Sequence, residues 1–194
     1  MMTVSDNTAT DTMIRHLEGP AAINERLASL SMTGVDISRT CHEIICDFAD
    51  LDPAMTGDEV TEHLRSLEDS GLAERDERVD KSDRDRCTHE SMGGVVVRLL
   101  NGELASEASS EFLKDVMSRN RTGVERIPKL LPKQTLYAEK TGTLGRYAND
   151  VGWVQLPDGS LLVMSLFARS YTRRLPEPLL AQTSRLMFDA FFLE

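Results

Sequence analysis

The sequence has few of the features that mark several classes of protein. It contains only three cysteines, Cys41, Cys46 and Cys87, whose odd number and spacing match neither a disulfide framework nor a clear metal site. Its four histidines are scattered, without the spacing of metal ligands. No apolar run is long enough to cross a membrane, and the first residues show no basic segment followed by an apolar one. We therefore expect no metal, no cofactor, no membrane insertion and no signal peptide within these residues.

The chain is also short of basic residues. Its 22 lysines and arginines face 32 aspartates and glutamates, which gives a net charge of −10. Such a charge disfavours nucleic-acid backbones and anionic membranes as partners. Apolar residues make up 40% and charged residues 28% of the 194 residues, the proportions of an ordinary soluble protein long enough for one domain with its own core.

A predicted strand carries the tripeptide Lys140-Thr141-Gly142. Three strand-like runs are separated by turn signals. The strand-like runs are 136–144, 151–156 and 161–167, and the turn signals between them are 145–146 and 157–160. The pattern predicts a three-strand antiparallel meander over about residues 136–167, with the tripeptide on its first strand. An ammonium, a hydroxyl and a position without a side chain suit the binding of an anion that lies against the strand backbone.

Apolar residues recur with helical spacing through much of the remaining chain. The predicted helices are 6–17, 20–31, 56–68, 88–100, 106–117 and 176–192. The charged stretch 73–86 is typical of a solvated loop or insertion. Helices packed on an antiparallel sheet, with a C-terminal helix, make the predicted fold class α+β.

A second tripeptide, Ser5-Asp6-Asn7, stands near the start of the chain. On its own it is typical of a helix N-cap, which these residue types favour. Followed by Lys-Thr-Gly, it makes two of the three motifs shared by class A β-lactamases and penicillin-binding proteins, the third being Ser-x-x-Lys. Further segments similar to that family, in the same order, are 5–11, 18–23, 122–128, 131–132, 149–152 and 156–159. The chain therefore resembles the class A β-lactamase and penicillin-recognising serine hydrolase family over most of its length.

The resemblance implies a β-lactamase/transpeptidase-like fold in a single domain, residues 1–194. It implies that a β-lactam ring is opened through a serine acyl-enzyme, with a β-lactam or peptide-like small molecule as substrate. Members of the family are usually exported, which predicts a periplasmic or secreted location. Export also allows a disulfide between Cys87 and either Cys41 or Cys46, with free thiols as the alternative. No oligomeric state is predicted.

The resemblance assigns catalytic roles to two residues. It places Ser5 beside the nucleophile, where the hydroxyl relays a proton to the leaving nitrogen. It places Lys140 beside Ser5, where the ammonium holds the hydroxyl and favours anions.

The resemblance assigns substrate binding to five residues. Thr141 and Thr143, on either side of Gly142, bind the substrate carboxylate through their hydroxyls, and the Thr143 N–H supplies half of an oxyanion hole. Asn7 bonds the side-chain amide of the substrate. The carboxylate also requires a guanidinium, for which Arg126 is the prediction, with an ordinary surface arginine as the alternative.

The chain departs from the family over about residues 44–86, a divergent loop or insertion. The family carries a glutamate here that serves as the base for deacylation, in a Glu-Pro pair that this sequence lacks. Glu43 lies close to the expected place, and Asp47 and Asp50 are the other candidates.

A Ser-x-x-Lys motif is also missing, because none of the serines has a lysine three residues further on. The resemblance therefore predicts the carboxy-terminal part of a truncated family domain, inactive as a fragment. It also predicts that the outer edge of the last strand, around 161–167, is left open.

Two alternatives remain beside a β-lactamase. The chain could belong to a peptidase, transpeptidase or esterase of the same fold that recognises penicillin, because fast hydrolysis needs a well-placed base. It could also be a non-catalytic binding or regulatory remnant that keeps the carboxylate pocket.

Overall fold

The computed structural model describes residues 1–67, 72–172 and 174–192, with the backbone alone for 72–74. Within these ranges the chain forms eight helices and three strands, which confirms the α+β prediction. In chain order they are α1 (Asn7–His16), α2 (Pro20–Ser29), α3 (Cys41–Ala49), α4 (Gly57–Ser66), α5 (Leu72–Lys81), α6 (His89–Leu100), α7 (Glu107–Ser118), β1 (Tyr137–Leu144), β2 (Tyr147–Gln155), β3 (Leu161–Arg169) and α8 (Glu177–Phe192).

The chain divides into two compact units. The amino-terminal unit comprises residues 6–87 with Met1, and the carboxy-terminal unit comprises residues 2–5 and 88–194. In the amino-terminal unit, α3 packs against α1, α4 and α5. The buried Asp11 of α1 accepts hydrogen bonds from the N–H groups of Cys41 (2.7 Å) and His42 (3.0 Å), so it caps the first turn of α3.

Segment 36–86 of the amino-terminal unit is closed at its base. The Asp36 N–H donates to the Arg86 carbonyl at 2.7 Å, next to an isolated bridge between residues 35 and 87. The buried Arg39 guanidinium binds Asp85 Oδ2 at 2.6 Å and also Asp47 Oδ2. These contacts tie the two ends of the segment together.

The stretch 73–86, predicted as a solvated loop or insertion, contains most of α5, so the prediction of a loop was wrong for residues 73–81. Its leucine, alanine, glutamates and arginines are strong helix formers, and packing on α3 gives the helix a partner. The predicted helix 56–68 appears as α4, and Glu68 lies outside the described residues.

The carboxy-terminal unit is built on the sheet β1-β2-β3, whose neighbouring strands are antiparallel. This confirms the predicted meander, with Lys140 on the first strand, opposite Val151. Gly152 lies opposite Glu139, and a Cβ at Gly152 would overlap the Ala138 carbonyl oxygen. The close approach of β1 and β2 therefore requires glycine at residue 152.

Apolar side chains cover the two faces of the sheet separately. On the face towards α6 and α7 the buried residues are Val96, Leu99, Met117, Ala138 and Trp153. On the face towards α8 they are Ile127, Leu131, Val154, Leu156, Met164 and Phe188. Because side chains alternate along a strand, Glu139 and Asp150 fall on the α8 face and Lys140 on the other.

None of the three cysteines forms a disulfide, so the alternative of a disulfide to Cys87 is not realised. No helix among the described residues combines the length and the apolar character needed to span a membrane.

Candidate functional site

The structure brings Ser5 and Lys140 together within the carboxy-terminal unit. The Lys140 ammonium donates to Ser5 Oγ at 2.8 Å, although 135 positions separate the two residues in sequence, and to the Thr141 carbonyl at 2.5 Å. Both residues are half-buried. Ser5 has a φ of 54°, in the left-handed region that non-glycine residues rarely adopt. Such backbone strain persists only where the surroundings hold it, and it often marks a functional position.

Two hydrogen bonds hold the segment that carries Ser5. The Arg121 N–H donates to the Thr3 carbonyl at 3.0 Å, and Asn120 Nδ2 donates to the Met2 carbonyl at 3.4 Å. The position of the Ser5 hydroxyl is therefore fixed from the residues before it as well as by Lys140.

Thr141, Gly142 and Thr143 differ in exposure. Thr141 is buried, and its Oγ1 lies 2.5 Å from Thr122 Oγ1, so this hydroxyl is already engaged. Gly142 and Thr143 are exposed. A Cβ at Gly142 would make only ordinary contact with Asn149, 3.8 Å away, so the surface over this part of β1 is open.

The Arg126 guanidinium is buried behind Thr143. Its Nη1 donates to the carbonyls of Gly142 (3.1 Å) and Asn149 (2.8 Å), and its Nε pairs with Glu177 Oε1 at 3.2 Å. Its Nη2 donates to Thr143 Oγ1 at 2.6 Å. Because the Thr143 oxygen accepts this bond, its own proton is directed to another acceptor. Arg126 thus supports Thr143 from within, and its predicted direct contact with a substrate carboxylate stays a prediction.

A pair of acids, Glu139 on β1 and Asp150 on β2, is fully buried against the segment that carries Arg126. Asp150 Oδ2 accepts from the Ile127 N–H at 3.2 Å. Among the described residues, both oxygens of Glu139 and Oδ1 of Asp150 have no hydrogen-bond donor. Burial, with the charge of Asp150 next in importance, raises the pKa of Glu139 to about 9. Burial raises the pKa of Asp150 to about 6. The charges of Arg126 and Lys140 oppose both shifts.

Sequence reasoning did not single out this acid pair. Part of the signal was present, because Glu139 stands inside the predicted strand 136–144, where an ionisable side chain on a core-facing position is rare. Asp150 stands directly before the predicted strand 151–156 and so carried no such signal. Periodicity alone could not show that the two positions share one face of the sheet.

Asn7 and Glu43 lie in the amino-terminal unit. Asn7 is the first residue of α1, and Asp6, which caps that helix, accepts from the Ala9 N–H at 2.7 Å. Glu43 Oε2 accepts from the N–H (2.7 Å) and the hydroxyl (2.9 Å) of Thr40 in a capping box at the start of α3. These bonds lower the pKa of Glu43. The roles of Asn7 and Glu43 in the reaction stay predictions.

The other two candidates for the deacylation base are also engaged. Asp47 binds Arg39, and Asp50 pairs with Arg78 Nη1 at 3.1 Å. Their participation in deacylation is likewise untested.

Two clefts of about 510 and 460 Å³ flank Leu136 at the far end of β1. Neither cleft is lined by Lys140, Thr141 or Thr143. No group of three or more metal-binding side chains that could hold an ion occurs in the part of the chain that the structure describes.

Comparisons of this chain with known proteins all point to the same family. The sequence model of the Beta-lactamase enzyme family, Beta-lactamase2, matches residues 1–191. The β-lactamase VEB-1 of Pseudomonas aeruginosa is 31% identical over 115 residues, which cover 54% of this chain and 38% of VEB-1. The extended-spectrum β-lactamase PER-1 of the same species is 25% identical over 193 residues, which cover 95% of this chain and 53% of PER-1. The chain thus spans about half the length of these curated relatives or less.

Solved structures agree on the fold. The ancestral class A β-lactamase GNCA, of the last common ancestor of Gram-negative bacteria, superposes with a TM-score of 0.74. The two sequences are 24% identical, and the match covers 96% of this chain and 61% of that one. The family match over nearly the whole chain and the shared fold lead to one conclusion: this chain belongs to the Beta-lactamase enzyme family.

Proposed function

We propose that this chain forms the carboxylate-binding and proton-relay side of an acyl-transfer site that opens β-lactams. The observation that carries the proposal is the hydrogen bond between the Lys140 ammonium and Ser5 Oγ, at 2.8 Å. Acyl transfer from an amide that carries a carboxylate needs a group that moves a proton and donors that bind the anion. Here a lysine holds a strained serine beside an exposed strand that bears such donors.

The exposed end of β1 supplies the anion site. Thr143 directs its hydroxyl proton away from Arg126, and its backbone N–H belongs to the strand on which the substrate would lie. The Lys140 ammonium supplies positive charge to this region in a protein of net charge −10, whereas the charge of Arg126 is offset by its ion pair with Glu177. A charge-assisted hydrogen bond to a carboxylate contributes about 1.5–3 kcal/mol, so each donor should matter measurably for binding.

Ser5 would carry the proton in the reaction. With its oxygen bonded by the Lys140 ammonium, the Ser5 hydroxyl can donate to the nitrogen that leaves when the ring opens. The ammonium stabilises the negative charge that develops as this proton moves, and the Thr143 N–H stabilises the carbonyl oxygen as one of two oxyanion donors.

None of these 194 residues is assigned as the nucleophile, because no serine among them has a lysine three residues further on. We therefore propose that the chain alone binds a β-lactam reversibly and is not acylated by it.

Reversible binding of benzylpenicillin to this chain, followed by NMR, tests the proposal. Thr143→Val should weaken binding roughly tenfold or more, because it removes a hydroxyl donor to the carboxylate. Lys140→Met should have an effect of similar size, because it removes the positive charge that attracts the anion and the donor that holds Ser5. Lys129→Met is the matched control, since Lys129 is an exposed lysine paired with Glu125, and it should leave the affinity unchanged. Equal affinity in the wild type and both site variants would refute the anion site. An adduct that survives denaturation would show that the chain contains its own nucleophile.

A penicillin-recognising protein without rapid turnover is the second candidate, and the geometry of Glu43 favours it. Its carboxylate is bound by Thr40 as a helix cap, and those bonds lower its pKa, both of which weaken it as a base. Turnover of nitrocefin by the product of the whole reading frame separates the two candidates. Sustained hydrolysis supports the β-lactamase, whereas a stable acyl-enzyme without turnover supports the peptidase, transpeptidase or esterase.

A non-catalytic remnant would bind benzylpenicillin through the same residues, yet the product of the whole reading frame would neither form an adduct nor hydrolyse nitrocefin.

We further propose a periplasmic or secreted location, on the family resemblance. Fractionation of the producing cells, with detection of the protein by antibody, tests that location.

A further inference from the structure

Three oxygens of the Glu139–Asp150 pair have no donor among the described residues, although both side chains are fully buried. Buried polar atoms almost always have a hydrogen-bond partner, and an unpaired one costs about 1–3 kcal/mol. A carboxylate only accepts hydrogen bonds, but a protonated carboxyl group also donates. The donor that this pair needs can be supplied by a proton on one of the two groups.

The pair also fastens both ends of the short segment that carries Arg126. At one end, the Glu139 carboxyl group fills the space beside Gly123, where a Cβ would overlap it. At the other end, Asp150 accepts from the Ile127 N–H at 3.2 Å, and Ser184 Oγ donates to the Ile127 carbonyl at 2.9 Å. Arg126 lies between these two attachments.

We propose that Glu139 and Asp150 share one proton and act together as positioning residues for Arg126, and through it for the Thr143 hydroxyl. Both side chains are fully buried, so neither can touch a substrate and neither is a catalytic residue. The part of this inference that concerns anion binding rests on the proposed function, whereas the shared proton and the placement of Arg126 do not.

The shared proton has a defined range of pH. Between the pKa of Asp150, about 6, and that of Glu139, about 9, the pair holds one proton. Above that range the proton passes to the solvent and the pair becomes more negative by one charge, with no other bond made or broken. Two buried carboxylates then repel each other, and Glu139 loses its place beside Gly123.

Other charged and titratable groups face the pair from each neighbouring element. Arg126 and Lys140 favour the ionised forms, and Glu177 of α8 is held by Arg126. Tyr137 on β1 has its own pKa raised by burial and then by the two acids, so it remains a neutral phenol across this range. Loss of the shared proton is therefore the ionisation expected to disturb the Arg126 segment between neutral and mildly alkaline pH.

Infrared spectroscopy of the full chain tests the shared proton. The wild type should show the carbonyl stretch of a protonated carboxyl group at pH 7.5, and the band should disappear as the pH rises through about 9. Glu139→Gln should lack the band, because its amide supplies the donor at every pH. Glu125→Gln is the matched control in the same segment, and its exposed side chain should leave the band unchanged. Absence of the band in the wild type at pH 7.5 would overturn the proposal, even if no variant folded.

The NMR signal of the Arg126 guanidinium carbon tests the positioning role. In the wild type and in Glu125→Gln it should move with pH at the midpoint at which the infrared band is lost. In Glu139→Gln it should stay still. If the infrared band titrates but the Arg126 signal does not move, the acid pair has only a structural role. That result would contradict the inference.

Sulfate, which does not titrate in this range, tests the link to anion binding. Its affinity should fall severalfold above pH 9 in the wild type and remain level in Glu139→Gln. Failure of sulfate to bind at any pH would count against the proposed function, while the infrared and Arg126 measurements would still decide the inference.

Discussion

Arg126 connects β1, β2 and α8 through its side-chain hydrogen bonds. Burying a cation costs several kcal/mol unless partners compensate it, and here Glu177, two strand carbonyls and Thr143 do so. Its guanidinium geometry allows these bonds to be made at once, which an ammonium could not do. The resemblance named this residue as a substrate ligand, and the structure adds that it binds Glu177 and Thr143 within the protein.

Replacement of Arg126 by methionine should destabilise the carboxy-terminal unit by roughly 3 kcal/mol, because the Glu177 carboxylate and the two carbonyls lose their donor. Arg126→Lys should recover only part of this loss. Urea unfolding followed by the fluorescence of Trp153, the sole tryptophan, measures the change. Arg119→Met, which removes an exposed pair with Asp115, is the control and should cost less than about 1 kcal/mol. Equal losses in Arg126→Met and Arg119→Met would contradict a structural role for Arg126.

At the scale of elements, the pairing of β1 with β2 determines which side chains of β1 face the site. The register places Lys140 opposite Val151 and Thr141 opposite Asp150, so a one-residue slip would turn every side chain to the other face. The glycine at 152 lets the two strands approach closely. In the amino-terminal unit, local capping boxes at Thr40 and Thr56 begin two of the helices.

The substitution Gly152→Ala should cost roughly 3 kcal/mol, since the new methyl group would meet the backbone of β1 rather than a side chain that can move. Gly94→Ala on α6 is the control, because nothing lies within 4 Å of the added Cβ. It should stabilise the unit by about 1 kcal/mol through helix propensity. Urea unfolding of the two variants should give changes of opposite sign, and the same sign in both would show that β1 and β2 do not approach as described.

Loss of the cap in Thr56→Ala should destabilise the amino-terminal unit by about 1 kcal/mol, because the Glu59 N–H loses its acceptor. Thr56→Ser should retain most of the stability. Thr61→Ala, on the exposed face of the same helix, should be neutral or slightly stabilising. Thermal unfolding followed by far-ultraviolet circular dichroism compares the three, and a Thr56→Ala variant as stable as Thr61→Ala would exclude the cap.

At the scale of the whole molecule, two groups of carboxylates act on stability in opposite directions. Hydrogen bonds lower the pKa values of Asp36, Glu43, Glu59 and Asp158. Their contribution to stability is present above the pKa of the unfolded chain and is lost as the pH falls. Burial raises the pKa values of Glu139 and Asp150, so their contribution is present at low pH and is lost as the pH rises.

The free energy of unfolding should therefore fall as the pH rises from about 6 to about 9, the range in which the folded chain keeps the Glu139 proton and the unfolded chain has already released it. The folded protein holds this proton more tightly than the unfolded chain, where the pKa is 4.5, which sets the sign. Urea midpoints measured at intervals of pH show the slope. Glu139→Gln should flatten it, and an unchanged slope in that variant would assign the effect to another group.

The sequence was informative where short motifs and strong periodicity acted locally. The meander, its turns and the C-terminal helix followed from residues close together in the chain, and the family followed from short motifs in a fixed order. The helix in the charged stretch 73–86 was missed because its support comes from α3, some thirty residues earlier in sequence. The acid pair was missed because it joins two strands across a register that no single strand reveals.

The sequence by itself determined which side chains were available: a serine, a lysine and two threonines in motifs suited to holding an anion. Only the tertiary structure decided their partners. It placed Ser5 on Lys140 across 135 residues, turned Arg126 inward onto Thr143, and buried Glu139 and Asp150 together. The physical reason is that donor, acceptor and burial are properties of space, and they arise only when the strands and the segment that carries Arg126 pack against one another.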